Sequence, residues 1–300
     1  MAIGKAQVCA FGLGLVSAVS IVVIVVCLKS NSTVWAIGSI SKTSTLIRIR
    51  DAADEGHQVL NGTNEIPHIL HQSWVNSSVP KHYSAWRQSW VKNHRHWEFK
   101  LWTDADNDAL VRQYMPWFLA RYEEYDEPVM RADAVRYLYM HKYGGVYVDL
   151  DFESLKPLDT LLEDGQVLLG TLGRNAPPEH SIPNSFMASA PGHPFWMFCF
   201  AKMLSANLAN RVGSFVETVT GPIMLKQALD EYTRRQEQDS VTNDGDVVVL
   251  PQELVYPIVW SDPMTHYPDC NWGASDFSSD ACHRHFEDAY AVTYWAHGWR

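Results

Sequence analysis

Two aspartates two residues apart, Asp149 and Asp151, close a run in which a helix, a Gly-Gly turn and a strand follow without a spacer. The apolar residues Ala134, Val135, Leu138 and Tyr139 recur at helical spacing, and Gly144-Gly145 offers the positive-φ positions that end a helix. Residues 146–150 read as a buried strand, whose alternation predicts that both carboxylates project toward one side of its carboxyl end. Hard oxygens in an Asp-X-Asp suit Mg²⁺ or Mn²⁺, which leave their remaining positions to phosphate oxygens. The predicted chemistry is that of a site for a divalent metal and a nucleotide diphosphate. Asp133 and Arg136, three apart on one face of the preceding helix, add a carboxylate that accepts hydroxyl hydrogen bonds and a planar donor fork. With no ligand to hold, the same pair reads as a helix-surface salt bridge.

The elements that position these groups are legible upstream. Residues 66–71 read as a first buried strand with Gln72, Ser73 and Trp74 at its end, 84–93 as a helix, and 97–102 as a second strand. Residues 104–125 read as helical with a break at Pro116. Strands alternating with helices predict an α/β domain with a mainly parallel sheet, and such sheets bind ligands at the carboxyl ends of their strands. Gln72-Ser73-Trp74, Thr103-Asp104 and Asp149-Leu150-Asp151 all fall at such ends.

Of 300 residues, 46% are hydrophobic and 19% charged, the balance of a folded protein with a sizeable core. A net charge of −10 argues against nucleic acid as a partner, because that needs a basic face. The 12 Trp and 13 Tyr provide flat surfaces for sugar rings and bases, although most aromatics of this size belong to the core. Residues 6–28 carry no charge and are long enough to cross a bilayer, which predicts a transmembrane anchor rather than a cleaved signal peptide. The organisation that follows is a short cytoplasmic tail (1–5), the anchor (6–28), a luminal stem (29–65) and a catalytic domain (66–300). Sequons at Asn31, Asn61 and Asn76 suit a luminal domain. Cys270 and Cys282 stand in a loop-rich region, either as a disulfide suited to an oxidising lumen or as two thiols or part of a metal site.

The motifs together resemble glycosyltransferase family 32, which includes fungal initiating α-1,6-mannosyltransferases and inositol-phosphoceramide mannosyltransferases. The resemblance rests on Ile66-Pro-His-Ile-Leu-His-Gln-Ser-Trp74, Leu101-Trp-Thr-Asp104, Pro116-Trp-Phe118, Arg131-Ala-Asp-Ala-Val-Arg-Tyr137, Tyr143-Gly-Gly-Val-Tyr-Val-Asp-Leu-Asp151, Pro157-Leu-Asp159, Pro191-Gly-His-Pro-Phe195 and Thr220-Gly-Pro222, in the family's order. It implies a GT-A fold with a Rossmann-like sheet, a nucleotide-sugar donor, Mn²⁺ or Mg²⁺ as cofactor, and retention of the donor's configuration. It also implies Asp151 as a metal ligand, Asp149 on the metal, ribose or donor sugar, and Asp133 with Arg136 on the donor sugar. Gln72, Ser73 and Trp74 would line the nucleotide pocket, Trp74 stacking on the base or packing in the core. Asn184 would touch donor or acceptor, or simply form a turn. The carboxyl end departs from the family's Gly-Ser-Trp: here Gly298 replaces the Ser, His297 is the candidate third metal ligand, and Trp299 the candidate lid.

The reading that results is a metal-dependent retaining hexosyltransferase of the Golgi or ER membrane, single-pass type II, moving mannose from GDP-mannose to a glycan, glycoprotein or glycolipid. A UDP-sugar donor (galactose, glucose or N-acetylglucosamine) is the alternative within the same fold, and a complex with other Golgi transferases fits the same setting. The lack of further membrane segments after the catalytic domain favours protein-linked or polysaccharide acceptors. Two other classes compete. An Asp-X-Asp phosphohydrolase would use Asp149 as nucleophile, but Glu153 stands where such enzymes carry Thr or Val. An inactive membrane-anchored scaffold would account for the altered carboxyl end.

Overall fold

The computed structural model describes residues 64–173, 176–239, 247–260 and 266–296, which fall within the compact unit Leu60–Arg300. The anchor at 6–28, the sequons at Asn31 and Asn61, and His297 and Trp299 lie outside the described residues. Among the described residues, no helix is long and apolar enough to cross a membrane.

The chain begins with β1 (Ile69–Ser73), α1 (Ser84–Asn93), β2 (Glu98–Trp102), α2 (Asp104–Tyr114), α3 (Leu119–Glu123), α4 (Pro128–Lys142) and β3 (Gly145–Val148). It continues with β4 (Phe152–Ser154), β5 (Val167–Gly170), β6 (Phe186–Ser189), α5 (Pro194–Ser205), α6 (Phe215–Val219) and α7 (Pro222–Asp239). The last elements are β7 (Val247–Leu250), α8 (Gln252–Val255), α9 (Ser279–His283) and β8 (Ala291–Thr293). The main sheet runs β2-β1-β3-β6-β5-β7, and its pairings leave β6 as the antiparallel member, so the sheet is mainly parallel as expected. A small antiparallel ribbon joins β4 to β8.

Strand alternation splits the core into two layers. Tyr147, Leu169 and Met187 pack against α4, α5 and α7 on one face, while Val146, Val148, Leu168 and Phe186 pack with Trp90 of α1 and Tyr256 on the other. Helix α1 has the predicted bounds, and the predicted break at Pro116 separates α2 from α3. Thr103 caps α2 in a reciprocal capping box with Asp106, which fixes where the chain leaves β2.

Helix α4 ends as expected: Gly144 and Gly145 take φ of 64° and 86°. Both glycines are also needed for close approach, since a Cβ would lie 2.6 Å from Ser189 O at Gly144 and 2.5 Å from Ile69 O at Gly145. The first strand starts later than predicted, at Ile69. Pro67 has no N–H to give the ladder, and its carbonyl instead accepts from Ile69 N at 2.8 Å. The third strand stops at Val148, so Asp149 and Asp151 are not paired by pleat alternation. A turn closed by Phe152 N on Asp149 O at 3.2 Å brings them together instead.

Candidate active site

The centre of the site is a buried set of polar groups where α4 meets the end of β3. Helical spacing places Asp133 and Arg136 on one face of α4, with Arg136 Nη2 3.1 Å from Asp133 Oδ1 and Nη1 3.4 Å from Asp149 Oδ1. Arg136 also donates to Asn184 O at 2.8 Å and lies 4.7 Å above the Tyr147 ring. The Tyr147 hydroxyl donates to Asp149 Oδ1 at 2.7 Å. Asn184 Nδ2 donates to Asp133 Oδ1 at 2.9 Å and to the Tyr137 hydroxyl at 3.2 Å, and Thr220 Oγ1 donates to Asp133 Oδ2 at 3.2 Å. Asn184 is therefore no plain turn residue: its carbonyl and its amide hold the two members of the ion pair from one position.

Electrostatics follow from this crowding. Burial pushes the Asp133 carboxyl above the usual range, while Arg136, Asn184 and Thr220 pull it back. Gly221 leaves room for that packing, because a Cβ there would lie 2.9 Å from Glu217 Cα and 3.3 Å from Asp133 Oδ2. Burial, followed by the Asp149 charge, pushes Asp151 up to about 7, and the Ala296 N–H works in the opposite direction.

Asp151 is gripped by the chain's carboxyl-terminal segment. Ala296 N donates to Asp151 Oδ2 at 2.9 Å and Tyr294 N donates to Asp151 O at 3.1 Å. Between them Trp295 adopts φ 53°, the left-handed region, and its indole N–H donates to Ile258 O at 3.1 Å. Tyr83 links this segment to the end of β1. Its hydroxyl donates to Ala296 O at 3.2 Å, its ring meets Trp74 edge-on at 5.6 Å, and burial with the Asp151 and Asp149 charges pushes it up to about 12.

The three residues expected at the end of β1 separate. Ser73 faces α2, its hydroxyl accepting from Asn107 Nδ2 and donating to Trp102 O, both at 3.3 Å. Gln72 faces α1, its Oε1 accepting from Arg87 Nε at 3.2 Å. Trp74 is half-buried beside Tyr83. The structure thus brings Asp133, Arg136, Asp149 and Asn184 together, places Asp151 one turn away, and turns Gln72 to the other face of β1.

Tyr147, Tyr83 and the Tyr294–Ala296 backbone were not foreseen, and Thr220, which lies in the Thr220-Gly-Pro222 motif, enters through its hydroxyl on Asp133. Only Tyr147 carried a local signal, as the aromatic alternating with Val146 and Val148 on the face that α4 covers. Cys270 and Cys282, the latter within α9, form a disulfide with their Cα atoms 4.9 Å apart, which resolves the earlier alternative. Asn76 of the third sequon is exposed.

A divalent cation fits the Asp149–Asp151 turn on one ground visible in the structure: the two acidic groups repel, and a cation between them would relieve it. Among the described residues no third His, Cys, Asp or Glu completes a ligand set.

Residues 80–168 match the family described as the glycosyltransferase sugar-binding region containing DXD motif. The chain is 32% identical over 174 residues to a mannosyl phosphorylinositol ceramide synthase of Saccharomyces cerevisiae, covering 56% of this chain and 44% of that protein. It is 33% identical over 218 residues to inositol phosphoceramide mannosyltransferase 1 of Schizosaccharomyces pombe, covering 71% and 64%. Lactosylceramide 4-alpha-galactosyltransferase of Gorilla gorilla gorilla is 26% identical over 220 residues, covering 73% and 60%. The first of these relatives is thus spanned over about half its length. The matched range contains both Asp133-Ala134-Val135-Arg136 and Asp149-Leu150-Asp151, so the chain carries the sugar-binding region that describes this family and is similar there to glycosyltransferases.

Proposed function

We propose that the protein is a metal-dependent, retaining hexosyltransferase that moves mannose from GDP-mannose to a glycolipid acceptor. The observation that carries this reading is the buried Asp133–Arg136 pair joined to the partly exposed Asp149 beside Asp151, at the edge where the parallel strands end. Asp133 and Asp149 accept sugar or ribose hydroxyls, and the Arg136 fork faces the departing diphosphate, where developing negative charge is stabilised by a preorganised cation. Asp149 and Asp151 would hold the divalent ion, which supplies further positive charge to the diphosphate when bound. The ion pair between an oxocarbenium-like sugar and the leaving phosphate needs no protein nucleophile. Asp149 is poorly suited to be one, because its Oδ1 is already held by Tyr147 and Arg136. That weighs against phosphohydrolase chemistry.

Mannose is favoured because relatives at 32% and 33% identity are named for mannosyl transfer to inositol phosphoceramide, and their names also move the acceptor from protein-linked glycans to a glycolipid. Galactose is the second reading, favoured by the resemblance to lactosylceramide 4-alpha-galactosyltransferase. A luminal setting in the Golgi or ER is supported by the apolar stretch at 6–28 and by the Cys270–Cys282 disulfide.

The test is to incubate the full chain with Mn²⁺ and, in turn, GDP-mannose, UDP-galactose, UDP-glucose and UDP-N-acetylglucosamine, measuring free nucleotide. Release of GDP from GDP-mannose, abolished by chelator and by Asp151→Asn, is expected. Release from a UDP-sugar alone would replace the donor, and release from none would overturn the reading.

A further inference from the structure

A second cavity lies on the opposite face of β1 from Asp133 and Ser73. It occupies about 300 Å³ between α1 and the β1–β2 edge of the sheet, and Gln72, Ser84, Arg87, Val91 and Phe99 are among its lining residues. Its lining contains no carboxylate, in a chain whose net charge is −10. Arg87 forms its one hydrogen bond through Nε, to Gln72 Oε1 at 3.2 Å, and no acid among the described residues pairs with it. That bond fixes the orientation of the Gln72 amide, because a guanidinium can only donate and the atom it meets must be the oxygen. Gln72 Nε2 is then left buried with no acceptor, on a side chain only 4% exposed. Buried donors are almost always paired, and this one, though itself shielded from solvent, belongs to a residue that lines the cavity, so a small turn of the Gln72 side chain would offer it to an acceptor that enters from outside. Lys100 is also at the rim, but its ammonium is engaged by Glu98 at 3.2 Å and by the Tyr143 ring, which leaves Arg87 as the available cation.

We infer that this cavity binds a phosphate oxyanion. The oxyanion accepts from the Arg87 fork and, once the Gln72 side chain turns toward it, from Nε2, and the larger group bearing it lies along Phe99 and Val91. A guanidinium fork matches the paired oxygens of a phosphate or phosphodiester, and acceptor-only oxygens match a site whose polar groups donate. The site adjoins the donor region through the chain itself: Gln72 precedes Ser73 and Trp74, and Arg87 lies one turn beyond Tyr83, which is bonded to Ala296. A phosphodiester in the acceptor's headgroup is thus one source of the oxyanion, and free phosphate is the other. Only the first of these rests on the glycolipid reading above.

The experiment is calorimetric titration of the full chain in detergent micelles, with chelator present. The probes are inorganic phosphate, glycerophosphoinositol and myo-inositol. The variants are Arg87→Met, Val91→Glu and Asp151→Asn. Val91 is half exposed, so Val91→Glu places a negative charge at the rim without disturbing the core. Saturable phosphate binding that weakens tenfold or more in Arg87→Met and several-fold in Val91→Glu, and persists in Asp151→Asn, is expected. Tighter binding of glycerophosphoinositol than of phosphate assigns the site to the acceptor headgroup, and equal binding assigns it to free phosphate. No phosphate binding, wild-type affinity in either cavity variant, loss in Asp151→Asn, or myo-inositol binding as tightly as its phosphodiester overturns the inference. Because the readout is binding without donor or metal, it stands or falls apart from nucleotide release.

Discussion

Arg136 Nη1 stands 3.4 Å from Asp149 Oδ1 while Nη2 of the same guanidinium stands 3.1 Å from Asp133 Oδ1. One buried cation therefore joins the helix carboxylate to the first aspartate of Asp-X-Asp, and donor binding at either acid is coupled to the other. The coupling depends on a planar fork that reaches two acids at once, which an ammonium does not reproduce.

Arg136→Lys should accordingly fold but lose on the order of 10²-fold in kcat, the usual effect of removing one preorganised donor from a developing charge. Arg136→Ala leaves Asp133 buried without its cation, which costs about 3–5 kcal/mol of stability. Steady-state kinetics and urea unfolding separate the two variants. Equal kcat in Arg136→Lys and the wild type would remove the fork from the mechanism.

Asp151 yields a prediction opposite in sign to the usual carboxylate. Its acid is raised from 3.8 to about 7 by burial and by Asp149, so between those values the folded protein holds a proton that the unfolded chain has released. Stability of the metal-free protein therefore falls as pH rises through that window. Asp151→Asn removes the effect. With chelator present, the variant should melt a few degrees above the wild type at pH 8, with the gap closing near pH 4.5. Mn²⁺ should raise the melting temperature of the wild type alone. Calorimetry at both pH values checks this, and a gap that does not change with pH would exclude the ionisation as its cause.

Much of this arrangement is local in sequence and was legible there. Asp133 and Arg136 meet because they are three apart on one helix, and Gly144-Gly145 ends α4 where only positive-φ residues fit. The side of β1 that Gln72 takes was open to the same alternation argument, since neighbours in a strand face opposite ways. What sequence could not carry is long-range closure. The Ala296 N–H reaches Asp151 from 145 residues away, and Thr220 reaches Asp133 from 87 residues away. Neither contact has a periodic signature. The turn that pairs Asp149 with Asp151 was misread as strand because Val146, Val148 and Leu150 continue an apolar pattern past the point where the ladder ends.

Gly221 tests whether the floor under Asp133 has to be tight. Its φ is unremarkable, so Gly221→Ala adds one methyl group without backbone strain, 2.9 Å from Glu217 Cα and 3.3 Å from Asp133 Oδ2. Backbone on α6 has to give way, and overpacking of this kind costs about 1–3 kcal/mol. The variant should show a raised donor KM as Asp133 shifts against Asn184 and Arg136. A donor KM equal to the wild type, with lowered stability alone, would mean that the shift is absorbed by α6.

Glu153 supports Asp151 from behind, and its role separates fold from metal binding. Its Oε2 accepts from Tyr294 Oη at 2.7 Å, from Ser279 Oγ at 2.8 Å and from His283 Nε2 at 3.0 Å, gathering α9 and the carboxyl-terminal segment onto β4. The backbone N–H groups of Tyr294 and Ala296 are the ones that hold Asp151. Glu153→Ala removes the acceptor that Tyr294, Ser279 and His283 share, leaving them only their longer contacts with one another at 3.1, 3.2 and 3.4 Å, and should cost about 1–3 kcal/mol. Because the lost bonds position the residues around Asp151 and touch neither Asp133 nor Arg136, the Mn²⁺ concentration for half-activation should rise by more than the donor KM. Tyr294→Phe, which removes one bond of the three and keeps the stacking on Trp86 at 4.9 Å, should give a smaller shift in the same direction. Activation curves measured on both variants, at a temperature where each is folded, decide the matter: if half-activation stays at the wild-type concentration, the Glu153 cluster holds the fold alone.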